Sequence, residues 1–100
     1  MTTWPDEASA RELAASLVQN RLAACVNLLP RMDSFYEWEG EACSGQEYLL
    51  LIKTRTDRYP ALEQAIHQAH PYELPEIIAV PLTDGLPSYL HWINEQVTPR

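Results

Sequence analysis

The chain has 100 residues, of which 46% are hydrophobic, and its formal charge is -7. That length suits one small core, so we expect a single domain over residues 1–100. The apolar content excludes a disordered chain, and the acidic balance argues against a nucleic-acid partner, because phosphate binding depends on clustered Lys and Arg. No apolar run reaches the roughly 20 residues of a membrane span, and no secretory signal pattern is present. A cytoplasmic protein without a membrane partner is therefore expected.

The first half of the chain predicts one helix and two strands. Residues 5–20 carry apolar side chains at steps of three and four, behind Pro5 and Asp6, and this pattern is typical of an amphipathic helix. Residues 22–29 and 48–52 form apolar runs that predict strands buried on both faces. Cys25 lies inside the first run and is expected to be a buried, unreactive small hydrophobe.

A long hairpin arm is predicted between these two strands. Residues 34–40 alternate along the chain, so that one face carries Tyr36 and Trp38 and the other carries Phe35, Glu37 and Glu39. A structureless loop of about 15 residues is uncommon in a compact domain. Both strands are therefore predicted to continue into the arm, which turns between Gly40 and Gly45.

The second half predicts a helix, a strand and a last helix. Residues 57–69 should form a helix whose inner face carries Tyr59, Leu62, Ile66 and Ala69. Proline disfavours helical geometry in the residue before it, so Pro71 should end this helix near residue 69. With Pro75, it should also make residues 70–75 a stiff corner. Residues 76–82 then predict a third strand, and residues 87–96 predict a short helix.

The order of these elements indicates a fold class. Helix, strand, strand, helix, strand, helix becomes βαββαβ if one strand precedes the first helix, and this is the α+β, ferredoxin-like sandwich. Here it would have an extended hairpin between the second and third strands and an extra C-terminal helix. Only residues 1–4 precede the first helix, so a truncated first strand is expected. That strand would be central, and without it two strand edges would be exposed.

Six segments together resemble the CutA divalent-cation tolerance family. The resemblance implies a ferredoxin-like subunit, a tight homotrimer whose arms pair across subunits, and a connection with tolerance of copper and other divalent cations. The segments cover nearly the whole chain in the right order and are Thr3-x-Pro5-Asp6-Glu7, Arg21-Leu-Ala-Ala-Cys-Val-Asn27, Ser34-x-Tyr36-x-Trp38-x-Gly40, Glu47 through Lys53-Thr54, His70-Pro71-Tyr72-Glu73-x-Pro75-Glu76-Ile77-Ile78 and Tyr89-Leu90-x-Trp92-Ile93.

The aromatic arm favours an oligomer independently of the resemblance. A core of this size cannot bury an arm that carries Phe35, Tyr36 and Trp38. An exposed arm would present a strand edge and an apolar patch, both of which promote aggregation. Pairing with neighbouring copies in closed symmetry removes both problems. The number three comes from the resemblance.

His70 is the first candidate metal ligand, because neutral imidazole binds copper, zinc and nickel. His67 lies three residues earlier and could complete a two-nitrogen chelate. The resemblance also implies a copper site made by two adjacent histidines and a cysteine before the Thr-x-Pro motif. This chain has Ala69 before His70, and Thr2 at the cysteine position, so that site does not carry over intact. The alternative for His70 is a hydrogen-bonded corner residue.

A second set of candidate residues predicts a ligand-binding cleft. Lys53 ends one predicted strand and Glu76 begins another, and such strand ends can lie near a subunit seam. A lysine beside carboxylates in a cleft would bind a small anion or a metal-bound ligand. The alternative is an ion pair that locks the trimer, helped by tyrosine hydroxyls. The full set is Tyr36, Lys53, Tyr72, Glu73 and Glu76.

Catalysis is not indicated, since the chain has no Gly-rich phosphate loop, CxxC, nucleophile elbow or HExxH motif. We expect a non-enzymatic homotrimer that acts in divalent-cation tolerance, chiefly of copper, through weak or partner-assisted metal binding. Copper or another divalent cation is its expected cofactor. Two alternatives stay open: a PII-like trimeric module that binds a small metabolite, and a structural trimer that anchors a protein partner.

Overall fold

A computed structural model describes residues 1–99 of the chain. The predicted α+β arrangement is confirmed, and no helix in this part of the chain is both long and apolar enough to cross a membrane. Beside a 3-10 turn at Thr56–Arg58, the elements are β1 (Thr2–Trp4), α1 (Glu7–Gln19), β2 (Cys25–Leu28), β3 (Met32–Trp38), β4 (Glu41–Lys53), α2 (Tyr59–Ala69) and α3 (Pro87–Gln96).

Strand β4 organises the antiparallel sheet. Its C-terminal half lies between β1 and β2, and its N-terminal half pairs with β3 to form the arm. The short strand β1 is buried along its whole length. On the side away from β4, Thr2 bridges Ile77, and the carbonyl of Met1 accepts a hydrogen bond from the Ile78 N–H at 3.0 Å. The first strand is therefore short, as predicted, but it lies at the edge of the sheet rather than at its centre, with a single bridge on its outer side.

The prediction of a third strand over residues 76–82 is wrong. Within residues 1–99, the backbone of this segment pairs with the sheet only through the bridge at Ile77. A strand needs a partner backbone along its length, and β1 offers three residues. Ile78, Val80 and Leu82 are consequently exposed, at 48%, 62% and 61%.

The hairpin arm is confirmed, but its turn comes earlier than predicted. Strands β3 and β4 pair from Met32 opposite Glu47 to Trp38 opposite Glu41. The turn consists of Glu39 and Gly40, whose φ angles are 51° and 80°. Two consecutive positive φ angles are typical of a type I′ turn, whose twist matches that of the paired strands. Gly45, predicted to lie at the turn, is inside β4.

Strand β2 begins at Cys25 rather than at residue 22, because the intervening residues complete the end of α1. Arg21 has a φ of 57°, its N–H donates to the Val18 carbonyl at 3.1 Å, and the Leu22 N–H donates to the Leu17 carbonyl at 3.0 Å. These are the hydrogen bonds of a Schellman motif. Cys25 is half-buried at the start of β2, not fully buried in mid-strand as predicted.

The main core lies where α1 and α2 pack against the sheet. Leu17, Leu50 and Ile66 are almost completely buried there. Ala69, predicted for the inner face of α2, is exposed at the last residue of the helix. Helix α3 makes a separate small cluster, in which Ile93 and Val97 pack with Ala24.

Candidate ligand-binding cleft

A cleft of about 790 Å³ opens between the hairpin arm and the corner at residues 70–76. Directly paired residues of antiparallel strands project from the same face of a sheet. One face of the arm therefore carries Tyr36 and Trp38 from β3 together with Gly45 and Glu47 from β4. Across the cleft lie corner residues that include Tyr72, Glu73 and Glu76.

His70 fixes the corner to β1. Its Nε2 lies 2.8 Å from the carbonyl oxygen of Thr3, and its Nδ1 lies 3.0 Å from the backbone nitrogen of Tyr72. A carbonyl only accepts and a backbone N–H only donates, so Nε2 carries the hydrogen and Nδ1 is the acceptor. The ring is also packed between Trp4 and Tyr72, with centroid distances of 4.3 and 4.9 Å.

These hydrogen bonds decide what His70 can do chemically. Both of its ring nitrogens are engaged, so no lone pair is free for a metal in this arrangement, and His67 is exposed on α2. The predicted two-histidine chelate therefore does not fit the structure, whereas the corner role does. Thr2, at the cysteine position of the implied copper site, is buried and donates to the Glu76 carbonyl at 2.7 Å. Within residues 1–99, no three His, Cys, Asp or Glu side chains are grouped closely enough to hold a metal ion.

The cleft is acidic. Glu47, Glu73 and Glu76 line it, and no Lys, Arg or His does so in the described chain. None of the three carboxylates forms an ion pair with a partner in residues 1–99. Burial raises the pKa of the Tyr72 phenol, and the nearby Glu47 and Tyr36 raise it further. Tyr72 therefore remains a neutral hydroxyl at physiological pH.

The structure separates Lys53 from the other predicted ligand-binding residues. Tyr36, Tyr72, Glu73 and Glu76 share the cleft, but Lys53 lines a different groove of about 670 Å³ beside residues 77–82. Lys53 ends the half of β4 that pairs with β2, whereas the cleft follows the half that forms the arm. Within one copy the five residues are therefore not one constellation, and residues 1–99 contain no ion pair between Lys53 and a carboxylate. Their grouping across a subunit seam stays a prediction.

Sequence reasoning did not identify Glu47 or Trp38 as cleft residues. In a strand, Glu47 shares a face with Gly45 because side chains alternate. Alternation alone does not show that Glu47 lies on the same side of the arm as Tyr36. The strand register shows this, because Met32 pairs with Glu47 and Tyr36 pairs with Cys43. The register follows once the turn is placed at residues 39 and 40.

The fold and the cleft can be set beside those of known proteins. The model of the family described as CutA1 divalent ion tolerance protein matches residues 1–96. The chain belongs to the CutA1 family. It is 46% identical over 95 residues to the divalent-cation tolerance protein CutA of Thermus thermophilus. The match covers 95% of this chain and 92% of that protein. It is also 46% identical over 93 residues to the mouse protein CutA, of which it spans 52%.

Solved CutA structures have the same fold over nearly the whole chain. The divalent cation tolerance protein Cut A1 from Thermus thermophilus superimposes with a TM-score of 0.94 at 45% identity, covering 97% of this chain and 94% of that one. CutA from Xylella fastidiosa gives a TM-score of 0.93 at 46% identity, covering 97% and 93%. The recognition of the CutA family from six sequence segments is therefore confirmed.

Proposed function

We propose that this protein acts in divalent-cation tolerance as a non-enzymatic homotrimer that binds cations weakly in its acidic cleft. The names of its CutA relatives support the general role. The observation that carries the proposal is the charge of the cleft, where Glu47, Glu73 and Glu76 have no basic neighbour among the lining residues. Carboxylates bind hard divalent cations, and ligands that do not converge on one point favour fast exchange over tight binding.

The assembly is supported by what a single copy leaves exposed. Phe35 is 81% exposed on one face of the arm, and Tyr36 and Trp38 are each about half exposed on the other. The apolar residues of segment 77–82 also lack a partner strand beyond Ile77. Neighbouring copies would cover the Phe35 face and this segment, whereas the face that carries Tyr36 and Trp38 would stay open as a wall of the cleft. The number of three subunits follows from the resemblance to the CutA family.

Copper, the predicted cofactor, favours a different kind of ligand. Imidazole suits Cu(II) better than carboxylate does. His67 is exposed and able to bind it, whereas both nitrogens of His70 are occupied. We propose that Cu(II) binding depends chiefly on the exposed His67, and that His70 contributes only through the shape of the corner.

Calorimetric titration with Mn(II), Zn(II) and Cu(II) tests this function. Glu47→Gln and Glu73→Gln should each weaken binding of Mn(II) and Zn(II) at least threefold, while His67→Ala should affect chiefly Cu(II). Glu12→Gln is the matched control, because Glu12 is exposed on α1 outside the cleft. Saturable binding whose affinity is unchanged by the cleft substitutions, or no binding of any ion, would contradict the proposal.

The second candidate function is binding of a small metabolite, as in a PII-like signalling module. The volume of the cleft favours it, because about 790 Å³ lies within the range of roughly 300–1,000 Å³ typical of small-molecule sites. The walls also include apolar side chains such as Pro71 and Leu74. Thermal-shift screening against nucleotides, organic acids and amines is the direct test, and a flat response across all three classes would count against this function.

A further inference from the structure

We infer that the cleft between the arm and the corner binds a small organic cation, in which an ammonium or guanidinium group is attached to an apolar body. This inference rests on the small-molecule function proposed above and names the chemical class of its ligand. It is carried by three features that meet in one cavity: unpaired carboxylates, accessible aromatic rings and a wall of fixed shape.

The first feature is an excess of negative charge, of which only the share of Glu76 is offset by a nearby cation, the Met1 ammonium. Glu47 lies on the arm, and Glu73 and Glu76 lie across the cleft on the corner. No basic side chain of the described chain lines the cavity, although the sequence contains seven Lys and Arg residues. Walls of one sign concentrate a ligand of the opposite sign in a cleft. A cation would therefore be attracted, and an anion would be repelled.

The second feature is the set of aromatic rings that faces the same space. Tyr36, Trp38 and Tyr72 are 50%, 52% and 44% exposed, so a ligand can reach them. The faces of Trp and Tyr rings attract ammonium and guanidinium groups, and they also pack against apolar groups. Because Tyr72 remains a neutral phenol, it adds a hydrogen-bonding hydroxyl without adding a fourth negative charge.

The size and the ligand arrangement favour an organic cation over a bare metal ion as the occupant of the whole cavity. A metal ion needs several ligands that converge at 2–2.6 Å or so, and residues 1–99 contain no such group. A cavity of about 790 Å³ with Pro71 and Leu74 in its wall matches a ligand with an apolar body.

The third feature is the fixed shape of the corner. His70 ties it to Thr3, and the hydroxyl of Thr2 donates to the Glu76 carbonyl at 2.7 Å. Pro71 and Pro75 restrict the backbone between these two attachments. Little conformational freedom is lost when a ligand binds to a wall that is already ordered.

Three probes that share one apolar body test the inference on the intact, assembled protein. They are 2-phenylethylamine, which is a cation at pH 7.5, 2-phenylethanol, which is neutral, and phenylacetate, which is an anion. Calorimetry or ligand-observed NMR should detect saturable binding of the amine. The alcohol should bind at least tenfold more weakly, phenylacetate should not bind, and salt should weaken binding of the amine.

Substitutions locate the binding and give the control. Glu47→Gln and Trp38→Leu should each weaken binding of the amine at least fivefold, whereas Glu12→Gln on α1 should leave it unchanged. Equal or stronger binding of phenylacetate or the alcohol would overturn the inference while keeping a small-molecule site. Absence of binding by all three probes would overturn both. The metal titrations on the same preparations report separately on the divalent-cation role.

Discussion

At position 70, one imidazole connects β1 to the corner that follows α2. The ring is 8% exposed and forms hydrogen bonds with the Thr3 carbonyl and the Tyr72 N–H. Removing the ring would leave two backbone groups without a partner in a region that has little access to water. Each buried group left unsatisfied costs about 1–3 kcal/mol.

We predict that His70→Ala lowers the free energy of unfolding by about 3 kcal/mol, chiefly through these two lost hydrogen bonds. Urea unfolding followed by circular dichroism measures the change. His67→Ala is the matched control and should stay within about 0.5 kcal/mol of the parent protein, since His67 is exposed. Equal stability of the two variants would show that His70 does not hold the corner.

At the scale of elements, the start of α1 depends on a side-chain cap. The carboxylate of Asp6 accepts hydrogen bonds from the Ser9 N–H and the Ser9 hydroxyl, both at 2.8 Å. Ser9 in turn accepts from the Trp4 indole N–H at 3.0 Å, which connects the cap to the core. The bond from the Ser9 backbone, followed by that from its hydroxyl, lowers the pKa of Asp6 below 3.8.

A pH dependence follows from this shift. Because the folded pKa of Asp6 lies below its unfolded value, its contribution to stability is complete above pH 3.8 and is lost as the pH falls through the folded pKa. Asparagine also caps helices but does not titrate there. The melting temperature of the parent protein should therefore fall faster than that of Asp6→Asn below about pH 4. Parallel acid profiles would contradict the assignment.

The arm gives a second prediction at this scale. Gly40 has a φ of 80°, which favours glycine, whereas Gly45 lies in a strand where an added Cβ would make an ordinary 3.8 Å contact with the Tyr36 hydroxyl. Gly40→Ala should cost about 1–2 kcal/mol through backbone strain. Gly45→Ala should be neutral or slightly stabilising. Thermal melting compares the two variants, and the reverse order would mean that the turn is not at residues 39 and 40.

For the whole molecule, stability and assembly should be inseparable. The arm gives the molecule a long dimension of 45 Å against 26 and 23 Å, with aromatic side chains along it. If neighbouring copies cover the arm and segment 77–82, as proposed, the melting temperature should rise with protein concentration.

Substitutions at two exposed valines test whether segment 77–82 is an interface between copies. Val80 is 62% exposed beside the unpaired segment, and Val18 is 44% exposed on α1. Val80→Lys should weaken self-association at least tenfold, because it would bury a charge between copies, while Val18→Lys should have little effect. Sedimentation velocity over a dilution series measures this. Stable monomers of the parent protein at all concentrations would refute the trimer.

Local sequence rules determined the elements whose limits depend on neighbouring residues. Pro71 ends α2 at Ala69, and α3 runs from Pro87 to Gln96 as predicted. The arm was also predictable, since alternation and the absence of a plausible long loop both indicate paired strands. Membership of the CutA family could also be recognised from the sequence, because it depends on six short segments in a fixed order.

Tertiary structure alone decided which distant residues meet. Within one copy, Lys53 is separated from Glu73 and Glu76, Glu47 joins the cleft, and the backbone of segment 77–82 forms only a bridge with the sheet. Each outcome depends on strand register, and a shift of one residue moves every side chain to the opposite face. Thr2 and Glu76, which fix the corner, are 74 positions apart. Backbone preferences act over a few residues and contain no information about such pairings, whereas packing of the whole chain selects one of them.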